Sequence, residues 1–191
     1  FVNADRIIRL DNGRIVQSAR GNTASIPEMD ESDTAQEDNP IAKSNIANGA
    51  SKPTSAVPII EIRNLIYQYP NSSKPVLDKL SITINKGETV AITGHNGAGK
   101  TTLARLLCAL DQPQSGNITI NTIPVARQRA NGNMQSLKRA DREKLRATVG
   151  YVMQHPERQL FAETVAEDIA YGPRNQHLDE TQVSERVNQA M

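Results

Sequence analysis

The stretch Gly94-His95-Asn96-Gly97-Ala98-Gly99-Lys100-Thr101 decides how this chain folds. It completes the pattern Gly-x-x-x-x-Gly-Lys-Thr. Before it, Thr89 to Thr93 reads as a short buried strand running straight into the glycines. After it, Leu103, Leu106, Leu107 and Leu110 recur at the spacing of a helix packed on a sheet, with Cys108 on the same helix. A strand, a glycine-rich turn and an amphipathic helix in that order build an anion cradle. Gly94, Gly97 and Gly99 let the backbone curl so that its N–H groups converge, and the start of the helix adds the positive end of its dipole. Lys100 supplies a point charge for the β and γ phosphates of a nucleotide, and the Thr101 hydroxyl a ligand for Mg²⁺. Thr102 extends the binding run, which therefore covers residues 94–102. The ligand expected is ATP, held with Mg²⁺.

Working outward, residues 58–191 carry further strand and helix patterns. Ile59 to Tyr69 alternates loosely and stops at Pro70. Leu80, Ile82 and Ile84 alternate over a second strand, and Ile118, Ile120, Ile123 and Val125 predict a hairpin. A helix is expected from about Asp141, a strand over Val149 to Met153, a helix over Glu163 to Tyr171 and another from Asp179. Upstream, Ile7, Ile8 and Leu10 precede Asp11-Asn12-Gly13, and Ile15 and Val16 follow it. Asn-Gly suits a tight hairpin turn, so residues 1–22 read as a β-hairpin. Residues 23–57 hold six acids (Glu28, Asp30, Glu31, Asp33, Glu37, Asp38) against Lys43 and Lys52, no aromatic, and Pro27, Pro40 and Pro53. Such a stretch cannot bury enough apolar surface to offset about 1–2 kcal/mol of ordering entropy per residue, and a disordered acidic linker is expected.

The charge balance argues against nucleic acid. Twenty-two basic residues meet 21 acidic ones, a net charge of +1, so no global field steers the chain to a polyanion. The basic run Arg127, Arg129, Lys138, Arg139, Arg142, Lys144 and Arg146 lacks interleaved aromatics and reads as a solvated face. A single cysteine, Cys108, allows no internal disulfide and no cysteine metal cluster. No apolar run approaches the ~20 residues that span a bilayer, and no secretory signal is visible. The chain starts at Phe1 and ends at Met191 inside a helical pattern, which suggests a fragment of a longer protein.

With the loop in place, the flanks from about Ile59 onward resemble the nucleotide-binding domains of ABC transporters. Tyr67-Gln68-Tyr69-Pro70 resembles the segment whose aromatic stacks on adenine, and Tyr69 is the position that matches, with Tyr67 as runner-up. A tyrosine that merely packs the strand fits the same residues. Leu77-x-x-Leu80-Ser-Ile82-x-Ile84-x-x-Gly87-Glu88 is similar to the lead-in to the phosphate loop. Val149-Gly150-Tyr151-Val152-Met153-Gln154 resembles the segment whose glutamine touches Mg²⁺ and the attacking water, so the resemblance assigns Gln154 a catalytic and metal-binding role beside catalytic Lys100 and metal-binding Thr101.

Gln154-His155-Pro156-Glu157-Arg158-Gln159-Leu160-Phe161, followed by Thr164 to Pro173, is similar to the ATPases of energy-coupling-factor and cobalt-type importers of vitamins and metal ions. The resemblance implies that residues 155–173 dock a transmembrane coupling subunit at the cytoplasmic face of the membrane. Ala4 to Val16 resembles the strands that end such a domain. Residues 1–22 would then be the tail of a preceding nucleotide-binding domain, 23–57 the linker, and 58–191 the first part of a second domain.

The implied fold is α/β, a P-loop NTPase core with an antiparallel β subdomain. The 191 residues hold no Leu-Ser-Gly-Gly-Gln signature, no apolar strand ending in Asp-Glu and no switch histidine. Weak nucleotide binding and negligible hydrolysis are therefore expected of the chain by itself. Two other classes share the loop. A small-molecule kinase leaves 154–173 and the hairpin unexplained, and a non-transport tandem ATPase leaves 154–173 unexplained.

Overall fold

A computed structural model describes residues 4–20 and 57–191. The expected linker lies outside the described residues apart from Val57. Two strands, β1 (Arg6–Asp11) and β2 (Arg14–Arg20), form the predicted hairpin. Asn12 and Gly13 both take positive φ, 46° and 73°, as a tight turn between right-twisted strands requires.

The strands β3 (Pro58–Tyr67), β4 (Leu77–Asn85), β6 (Ser115–Ile120), β7 (Ile123–Gln128) and the short β8 (Met134–Gln135) make an antiparallel sheet in the order β4-β3-β6-β7-β8. Its inner face is built by alternation. In β6, Ile118 and Ile120 are buried, and in β4 Leu77, Leu80 and Ile82 are. The register shifts between Ile62 and Leu65, where Asn64 adopts a φ of 48° and Gly116 passes against its carbonyl.

The second sheet has the order β2-β1-β5, with β5 (Val90–Thr93) running parallel to β1. Arg6 stands beside Val90 and Arg9 beside Thr93. Both strands therefore deliver their C-terminal ends to the same edge, where the glycine loop begins. Helix α1 (Lys100–Leu107) leaves that loop and buries Leu103 and Leu106 in one core with Ile8 and Leu10 of the hairpin and Ile62, Leu65, Leu77, Leu80 and Ile118 of the larger sheet. The hairpin is thus part of the main core. Asp5 accepts from the Thr89 amide at 2.7 Å, and Asp78 donates its amide to Gly13 O at 3.1 Å. Arg6 pairs with Glu88: Nη2 donates to Oε2 at 3.3 Å, while Nε lies 2.8 Å from Oε1 without being aimed at it.

Helix α2 (Arg139–Thr148) starts slightly earlier than expected and anchors through Leu145. A 3-10 turn (Pro156–Gln159), α3 (Val165–Asn175) and α4 (Glu180–Ala190) complete the chain. Three expectations need correction. The helix after the loop stops at Leu107, because Ala109 turns to a φ of 53°, and Leu110 is left exposed. Cys108 consequently caps that helix rather than lying within it. Val149 to Met153 is extended in sequence pattern but forms no strand, since no neighbouring strand pairs with it, and Val152 is 76% exposed.

Candidate functional site

The loop is built by backbone conformation and close approach. Gly94 has a φ of 145°, and a Cβ there would stand 2.3 Å from the Leu10 carbonyl oxygen of β1. Gly99 has a φ of 102°, and a Cβ would meet Leu77 at 2.7 Å and the Val76 carbonyl at 2.9 Å. Only glycine allows the loop to lie between the hairpin and β4 at these two points. Ala98 is fully buried and its amide donates back to His95 O at 3.2 Å, closing the turn.

The helix start is prepared for an anion. No side chain caps α1, and its first turn carries no acid. Its leading N–H groups and dipole are left for a ligand. The Lys100 ammonium folds over the loop and donates to the carbonyls of Gly94 at 2.6 Å and His95 at 2.8 Å. Thr101 is exposed beside it, whereas Thr102 is buried. His95 and Asn96 lie on the rim, with the His95 ring between Asn96 O at 2.6 Å and Asp11 Oδ1 at 3.0 Å.

Tyr69 is brought to this site although it lies 33 residues before Thr102. Its hydroxyl is 3.0 Å from Thr102 Oγ1, and its ring stands edge-on to Tyr67 at 5.0 Å. Tyr67 is buried and its phenol is pushed above the ordinary value, by burial first and by Asp111 second. Tyr69 keeps 38% of its surface exposed, so it is the one of the pair able to present a face to a ligand. Arg105 grips Asp111 with two bonds, 2.6 and 3.1 Å, and fixes the chain where α1 ends; this pairing raises its pKa. Burial raises the Cys108 thiol, which keeps it a poor nucleophile.

Gln154 stands apart. It is exposed, and among the described residues no hydrogen bond joins it to the loop. The following arm is also exposed: Leu160, Phe161, Val165 and Tyr171 all face outward, with Phe161 and Tyr171 edge-to-face at 4.7 Å. Asp168 ties the arm's entry by accepting from the amides of Phe161 and Ala162 at 3.2 Å each.

The sequence profile described as ABC transporter matches residues 77–191, more than half of the chain. The chain belongs to the ABC transporter family. An ABC transporter ATP-binding protein of Bifidobacterium longum is 42% identical over all of this chain and 27% of its own length. The energy-coupling factor transporter ATP-binding protein EcfA2 of Clostridium acetobutylicum is 42% identical over 69% of this chain and 44% of its own length. Among solved structures, cbiO1 from Clostridium perfringens, part of the ABC transporter complex cbiONQ, superposes with a TM-score of 0.57 at 31% identity, over 70% of this chain and 49% of that one. This ABC chain spans about a quarter to a half of the length of these relatives. The fold is therefore a partial ABC nucleotide-binding domain.

Among the described residues no cluster of His, Cys, Asp or Glu is arranged for a metal, and no helix is long and apolar enough to cross a membrane. Sequence reasoning named Tyr69 and Thr102 but not the bond between them, and it missed Asp11, which lies 84 residues from His95; no local pattern signals either contact.

Proposed function

We propose that this chain is the phosphate-binding part of an ATPase that powers an energy-coupling-factor-type importer. The observation that carries the reading is the uncapped start of α1 facing the glycine loop, with Lys100 poised over it. Residues 94–102 would hold the triphosphate, through loop amides and the Lys100 charge. Tyr69 would offer its ring to the adenine. Thr101 and Gln154 bring neutral oxygens for Mg²⁺, so the negative charge a hard cation requires would come from the phosphates themselves. When bound, Mg²⁺ neutralises charge that develops on the phosphates during hydrolysis. Gln154 can accept a hydrogen bond from water without adding charge, which suits a residue that orients the attacking water.

The exposed arm from His155 to Pro173 is read as the docking face for a transmembrane coupling subunit, on the membrane's cytoplasmic side. The apolar side chains Leu160, Phe161, Val165 and Tyr171 on one short stretch support this, as do the energy-coupling factor names of the relatives. Residues 1–22 are read as the tail of a preceding nucleotide-binding domain. The Bifidobacterium relative matches across the hairpin and the linker as well as the loop, which supports a tandem parent.

Isothermal titration of MgATP tests the phosphate site. Lys100→Ala is expected to weaken binding by roughly tenfold to a hundredfold, the scale of a lost charge-assisted hydrogen bond. Unchanged affinity would sink the reading.

A further inference from the structure

We infer that Gln114 is a positioning residue for the nucleotide base, setting the place of Tyr69 through the backbone of Gln68. The inference rests on the nucleotide-binding reading of the loop and on Tyr69 as the ring offered to the adenine.

Tyr69 stands two residues past the end of β3, beyond the reach of the strand ladder. The pairing of β3 with β6 ends with Ile66 beside Ser115, and the Gln114 amide adds one bond to Ile66 O at 3.1 Å. From there the Gln114 side chain takes over. The Gln68 amide donates to Gln114 Oε1 at 2.9 Å, and Gln114 Nε2 donates to Gln68 O at 2.8 Å. A carboxamide offers the same donor and acceptor as a peptide group, so this one side chain pairs with Gln68 as a neighbouring strand would. Both backbone groups of the residue before Tyr69 are thereby fixed. On the other side, Tyr69 O accepts from the Ser72 amide at 3.0 Å, and Pro70 disfavours helical backbone at Tyr69.

The ring is held at its tip as well. Its hydroxyl is 3.0 Å from Oγ1 of buried Thr102, in the first turn of α1. Gln114 traces back to the same helix: Arg105 of α1 grips Asp111, and buried Pro113 leads from there into Gln114. A nucleotide needs its base surface at a fixed distance from its phosphate cradle. Helix α1 supplies the start of the cradle, and both supports of Tyr69 run to it. A ring set in place beforehand loses less freedom when a base stacks on it. If Gln114 only closed the end of the sheet, its loss would carry no bias toward the base.

The test titrates the full 191-residue chain with two ligands, MgATP and magnesium tripolyphosphate, which has the phosphates without the base. Gln114→Ala should weaken MgATP about threefold, the scale of a lost hydrogen bond, and leave tripolyphosphate unchanged. Gln114→Met keeps the length of the side chain, removes both bonds and should behave the same way, which covers an alanine variant that folds poorly. Tyr69→Ala should weaken MgATP about tenfold, the scale of one stacked base. Adding Gln114→Ala to Tyr69→Ala should cost no further affinity, because the glutamine acts through that ring. Equal weakening of both ligands in both Gln114 variants overturns the positioning role. So does an unchanged MgATP affinity, or a threefold loss that persists without Tyr69. A parent chain that binds neither ligand overturns the phosphate reading of the loop instead, and MgATP affinity untouched by Tyr69→Ala overturns the base reading.

Discussion

The phosphate loop and the arm from Gln154 to Tyr171 are both read from continuous sequence, yet they are held by opposite means. The loop lies between β1 and β4, with fully buried Leu10, Leu77, Leu103 and Leu106 around it and glycines where backbone meets backbone. The arm has little beneath it. Ala170 of α3 and Val183 of α4 are buried against their immediate surroundings, outside the main core. The difference teaches what each region is for. A site that must present amides to a fixed charge is built rigid before the ligand arrives, because reorganising at the moment of binding costs affinity. A surface whose large apolar side chains face water fits the docking role proposed for it.

The largest expected effect tests that contrast directly. Leu106→Ala should cost about 3 kcal/mol of global stability, the transfer term plus the cavity it leaves. Phe161→Ala removes a larger side chain but should cost less than about 1 kcal/mol, mostly its edge-to-face contact with Tyr171. Urea unfolding of both variants makes the comparison. Equal losses would mean that the arm belongs to the core after all.

An effect of similar size sharpens the account of the loop. Gly94→Ala combines a forbidden φ with a clash against the Leu10 carbonyl and should cost about 3 kcal/mol. Gly97→Ala has a φ of 86° but open space around its Cβ, and should cost about 1 kcal/mol. The gap between the two measures the pressure of β1 on the loop. Thermal melts that fall equally would show that conformation alone, and not the hairpin's approach, shapes the cradle.

Much of this was legible in the sequence. The glycine loop, the Asp11-Asn12-Gly13 turn and the pairs Ile118/Ile120 and Ile123/Val125 are local signals, and each lies where the pattern places it. What failed depends on partners far along the chain. Val149 to Met153 has strand composition, but a strand exists only where another pairs with it. Leu110 has helical spacing, but Ala109 turns the chain first. The parallel pairing of β1 with β5, the Tyr69–Thr102 bond and the Asp11–His95 bond join segments 33 to 84 residues apart, and no spacing rule encodes them.

The smallest effect probes what does hold the arm's end. Helix α4 begins with a reciprocal cap: Asp179 Oδ1 accepts from the Gln182 amide at 2.9 Å, and Gln182 Oε1 accepts from the Asp179 amide at 3.4 Å. Thr164 caps α3 with one such bond, from Glu167 at 3.2 Å. With Val183 the one buried side chain of α4, these local bonds carry a large share of its stability. Asp179→Ala should therefore cost about 1 kcal/mol, roughly fivefold faster amide exchange. The increase should be confined to α4 and its contacts with α3, leaving β5 and α1 protected as before, because separately stabilised segments open separately. Faster exchange throughout α1 would join the two regions into one cooperative unit and remove the contrast between a loop packed into the core and an arm held by local bonds.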